Sequence, residues 1–87
     1  MNTNIEFITI QEIVEDIKLR YRPAYRMVQA TYMGDMYKVQ YQDVMKVYNE
    51  YVQRLGYQDP YMQQMYAKAG RFLDLSTKYY MAANQFS

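Results

Sequence analysis

Between Tyr37 and Leu55 the apolar residues fall at Tyr37, Tyr41, Val44, Tyr48, Tyr51 and Leu55, spaced four, three, four, three and four. That is the a/d rhythm of a helix whose seam packs on another helix. Gly56 follows Leu55 and suits a C′ position, where φ is positive. Asp59-Pro60 then reads as the N-cap and first residue of a new helix. The new run keeps the rhythm at Met62, Met65, Ala69, Phe72, Ser76, Tyr79, Ala83 and Phe86. A connection this short makes the two helices antiparallel neighbours. The expected fold is therefore all-α, a long antiparallel hairpin with coiled-coil-like packing.

The N-terminal part adds a third, shorter helix. Thr9 has the chemistry of an N-cap and Glu12 completes a capping box, with Ile8 and Ile13 at the staple positions. Ile10, Ile13, Val14, Ile17 and Tyr21 then share one narrow face. Pro23 marks a break, because it lacks a donor and clashes with the preceding turn. Arg22 is a poor cap, so a kinked continuous helix is the alternative. The reading is a single helical domain over 1–87: an arm at 1–8 and helices at 9–22, 24–55 and 60–84. At 1.5 Å per residue the second helix would be about 48 Å long and the third about 38 Å. Those lengths predict an elongated molecule rather than a sphere. In shape alone it resembles the small helical-hairpin subunits of secretion needles and of some viral shells. No motif aligns, so no residue role transfers.

The hairpin has more apolar surface than two helices can hide. Met27, Ala30, Met33 and Gly34 continue the main seam of the second helix, while Tyr25, Val28, Tyr32, Met36 and Val39 form another stripe on its opposite side. A helix apolar on both sides needs a partner on each. On the third helix Tyr61, Tyr66, Leu73, Leu75 and Tyr80 widen the seam on both flanks. The chain holds 12 Tyr and 8 Met, residues that suit interfaces and irregular gaps. Tyr25, Val28, Tyr32, Met36, Val39, Tyr66, Leu73 and Tyr80 are the expected contacts with a second copy or a larger protein.

The solvated faces look ordinary. Asp43/Lys46 and Glu50/Arg54 have the spacing of weak helical ion pairs. Glu12, Glu15 and Asp16 sit in the first turns of a helix, where they complement its dipole.

The missing residue types exclude more than the present ones suggest. There is no His and no Cys, so the commonest metal ligands and nucleophile–base pairs are lacking. No phosphate loop or nucleophile elbow occurs. The expectation is a protein that is not an enzyme and has no cofactor and no metal site. No apolar run is long enough to span a membrane. Met1 to Glu6 carries no basic region of the kind that opens a signal peptide, so a soluble protein of the cytoplasm or of an assembled particle is expected.

Charge is sharply divided despite a net of +1. Residues 1–17 carry four acids and no base, and residues 18–26 carry four bases and no acid. Lys18, Arg20, Tyr21, Arg22, Tyr25 and Arg26 thus interleave bases with rings, a chemistry that contacts phosphates and stacks on nucleobases. The competing account is a corner between helices whose bases pair with nearby acids. The balanced net charge favours that account, since nucleic-acid binders are usually basic overall.

The leading functional expectation is a structural or assembly protein, of the kind found as a virion component, secretion-apparatus subunit or assembly adaptor. A nucleic-acid-binding accessory protein using residues 18–26, with salt-sensitive binding, is the second. A small inhibitor docking a helix face into a groove of a larger protein is the third.

Overall fold

A computed structural model describes residues 7–87 and contains three helices, α1 (Ile10–Arg20), α2 (Pro23–Leu55) and α3 (Pro60–Asn84). Most of the expected arm, residues 1–6, lies outside the described residues. Of the remainder, Phe7 is exposed and Ile8 packs against the core that Ile13 anchors.

Each helix begins where local chemistry dictates. The Thr9 hydroxyl accepts from the Glu12 amide at 3.1 Å, and the Glu12 carboxylate accepts from the Thr9 amide at 3.2 Å. This reciprocal box satisfies two amides that a helix start leaves unpaired. Asp59 caps α3 by accepting from the amides of Tyr61 and Met62. Gly56 ends α2 at φ +85°, a backbone that a side chain would strain.

Pro23 is the first residue of α2 and the chain breaks there. Arg22 is extended and gives α2 no side-chain cap. The break is held from the other direction: Arg26 donates from Nε to the Tyr21 carbonyl at 3.0 Å and from Nη2 to the Lys18 carbonyl at 3.4 Å. A cation thereby closes the C-terminal end of α1, where the helix dipole is negative.

α2 and α3 pack along their lengths as an antiparallel hairpin, and the molecule measures 49 × 26 × 15 Å. The long dimension is that of the 33-residue α2, about 50 Å at the helical rise. The radius of gyration is 15.4 Å, against about 12 Å for a compact domain of this length.

The core is in two parts. At the open end, Ile13, Val14 and Ile17 of α1 meet Ala30 of α2 and Tyr79, Ala82 and Ala83 of α3. Near the turn, Tyr48 and Val52 of α2 close on Met62 of α3, with Met45 and Met65 beside them. Tyr37 joins the helices between these clusters, its ring 6.3 Å from Phe72 and 5.6 Å from Tyr79. Burying aliphatic side chains this completely stabilises by roughly 1.5–3 kcal/mol each.

Every residue of the expected α3 seam is buried or half-buried. The α2 seam departs from expectation at both ends. Tyr51, Leu55 and Met27 are exposed, while Val52 is buried. An α-helix of 3.6 residues per turn drifts off a strict 3.5-residue repeat, so the contact line leaves Tyr51 and Leu55 and passes to Val52. Arg54 lies over the exposed Tyr51 ring at 5.9 Å rather than pairing with Glu50.

Candidate interaction surface

Tyr25, Val28, Tyr32, Met36 and Val39 follow one another at intervals of three, four, four and three along α2. At 100° per residue they point away from Ala30, Gly34 and Tyr37, which face the rest of the molecule. Tyr25, Val28, Tyr32 and Val39 remain 61%, 66%, 59% and 54% exposed, and Met36 is half-buried. α1 does not cover them. It sits over Ala30, Met33 and Tyr37, in the angle between α2 and α3. A shallow groove of about 330 Å³ runs along the stripe, lined by Tyr32, Asp35, Met36, Val39 and Gln40.

The expected contacts on α3 divide. Tyr66 and Leu73 are exposed, and the Tyr66 ring lies 5.6 Å from that of Tyr48. Tyr66 also borders a groove of about 400 Å³ near the turn, with Tyr48, Tyr57 and Gln63. Tyr80 is placed differently from its expected role as an outward contact. Its ring lies over Gly34 and its hydroxyl donates to Asp35, so it is a contact within the hairpin. The hydrogen bond to Asp35 is the main reason its pKa is raised above the usual phenol value. A ring crossing to another helix cannot be told from an outward one by spacing alone. The signal was Gly34, whose missing side chain leaves room for it.

The basic segment resolves into local pairs. Arg20 donates to Asp16 at 2.9 Å and Lys18 lies 3.9 Å from Glu15, both within α1. Arg26 is committed to the carbonyls of Tyr21 and Lys18. Tyr21 is half-buried against the open-end core, as its place on the expected apolar face of the first helix predicts. Arg22 and Tyr25 remain exposed. Two of the four bases, Lys18 and Arg20, thus pair with nearby acids, as the corner account expects.

Sequence reasoning missed the polar tie at the centre of the hairpin. Ser76 is 2% exposed and donates to the Gly34 carbonyl at 2.8 Å. Among the described residues no acid, His or Cys group has the arrangement to hold a metal ion, and no helix is long and apolar enough to cross a membrane. No family model matches the chain, and no curated protein and no solved structure matches it either.

Proposed function

We propose that the protein is a non-enzymatic structural subunit whose hairpin is completed by packing against copies of itself or a larger protein. One observation carries this reading: of five apolar positions in succession on the outer side of α2, four stay exposed and Met36 half-exposed after all three helices have packed. Four more tyrosines are exposed outside the stripe, namely Tyr51, Tyr57, Tyr61 and Tyr66. Contiguous apolar surface on this scale marks an interaction site. Tyr rings supply large contact area at low entropic cost, with a polar tip that tolerates water until the partner arrives.

The test is size-exclusion chromatography with light scattering over a wide range of concentration. A mass rising above that of one chain is expected. A compact monomer throughout counts against self-assembly.

A further inference from the structure

The outer stripe of α2 has an internal symmetry that specifies an occupant. Its intervals of three, four, four and three read the same in both directions from Tyr32. A second α2 laid antiparallel about a two-fold axis at Tyr32 sets apolar against apolar throughout. Tyr25 meets Val39 of the second copy, Val28 meets Met36, and Tyr32 meets itself. We infer, on the assembly reading above, that α2 pairs with α2 of a second copy in this antiparallel register.

Two further observations agree. Four of the five residues lining the groove, Tyr32, Asp35, Met36 and Val39, stand at i, i+3, i+4 and i+7, the spacing of the hole that receives one knob from a facing helix, with Gln40 at its rim. The register places Val28 of the second copy over that hole, and Val28 is 66% exposed with its own copy offering no cover. The ends of the stripe carry opposite charge. Arg22 lies at one end and Asp43 at the other, both are exposed, and neither has an ion-pair partner among the described residues. The antiparallel register brings Arg22 of each copy beside Asp43 of the other. A parallel pair would set Arg22 against Arg22 and Asp43 against Asp43, which costs free energy. Asp35, at the edge of the hole, already accepts from Tyr80, so the pairing strands no carboxylate.

The size of the face sets the strength. The five side chains offer on the order of 400 Å² per copy, so the pair buries about 800 Å² before the flanks are added. That is below the roughly 1,200 Å² at which stable specific interfaces begin and predicts a weak, concentration-dependent dimer.

The chain has no Cys, so a Gln42→Cys variant carries a single spin label at an exposed site. Gln42 is ten residues from Tyr32, which puts the two labels about 30 Å apart in the antiparallel register. A parallel pair would bring them to about 10 Å. Tyr32→Glu and Val28→Glu set carboxylates on the axis and in the hole, and each should return the protein to a monomer with unchanged helical circular dichroism. Tyr61→Glu, an exposed ring outside the stripe, should leave the dimer intact. An oligomer with any other label separation, or one indifferent to Tyr32→Glu and Val28→Glu, overturns this register and leaves the assembly reading standing. A monomer at every concentration overturns both this register and self-assembly, and leaves only a larger protein as the occupant of the stripe.

Discussion

The ring of Tyr80 occupies the space that a side chain at position 34 would need. A Cβ built on Gly34 lies 2.7 Å from two carbons of that ring. The same helix turn is gripped twice more, by the Tyr80 hydroxyl on Asp35 and by Ser76 on the Gly34 carbonyl. α2 and α3 are thus fixed in register by polar contacts at Gly34 and Asp35, where an apolar seam alone would let them slide.

Gly34→Ala should therefore destabilise the fold. Overpacking costs about 1–3 kcal/mol, and the gain in helix propensity offsets about 1 kcal/mol of it. Gly70 supplies the control, since nothing lies within 4 Å of a Cβ there. Gly70→Ala should stabilise by about 0.5–1 kcal/mol. Urea melts of both variants decide the matter. Equal gains in stability would show that the Tyr80 ring yields freely.

Ser76→Ala removes a buried donor, while the Gly34 carbonyl keeps its place in the helix. The loss should be about 1 kcal/mol, read as a lower midpoint in denaturant. No change would mean that the 2.8 Å contact contributes nothing to the register.

Stability should fall at alkaline pH. The Tyr80 pKa is raised chiefly because its hydroxyl donates to Asp35, and those of Tyr37 and Tyr79 are raised chiefly by burial. A folded-state pKa above the unfolded value means that folding favours the protonated phenol. The contribution is whole below the ordinary value of 10.0 and disappears as pH rises through the raised values. Thermal melts across that range should show Tm dropping only on its alkaline side. Tyr80→Phe should make the drop shallower, and identical slopes in the two proteins would argue against a role for the Asp35 contact.

Arg26→Gln tests the corner between α1 and α2. Losing the charged donor to two carbonyls should cost about 1–2 kcal/mol. The effect should appear as faster amide exchange in α1 with little change at the turn end of the hairpin. Uniform acceleration along the chain would show that the corner is not a separate element.

The local signals in the sequence were strong where the chemistry was local. The Thr9–Glu12 box, the Gly56 stop and the Asp59 cap each involve residues at most four apart, and all stand as expected. The α3 seam was equally legible, because one side of that helix does nearly all its packing. What escaped notice joins distant residues. Ser76 and Gly34 are 42 positions apart, and Tyr80 and Asp35 are 45. Pro23 left break and kink undecided, and the answer came from Arg26 reaching back to Lys18, which periodicity does not register. The stripe from Tyr25 to Val39 was visible from spacing, but whether α1 would cover it depended on the direction the chain takes after Arg20.

α1 braces only one end of the hairpin, and the far end is shut by the small cluster around Tyr48, Val52 and Met62, to which α1 adds nothing. Thermal opening of a single molecule should accordingly run from the loop inward, as a clothes-peg parts at its jaws while the spring holds. Proteases would find Gly56–Gln58 first. The base, where three helices converge, would be the last region to give up its amide protons to solvent.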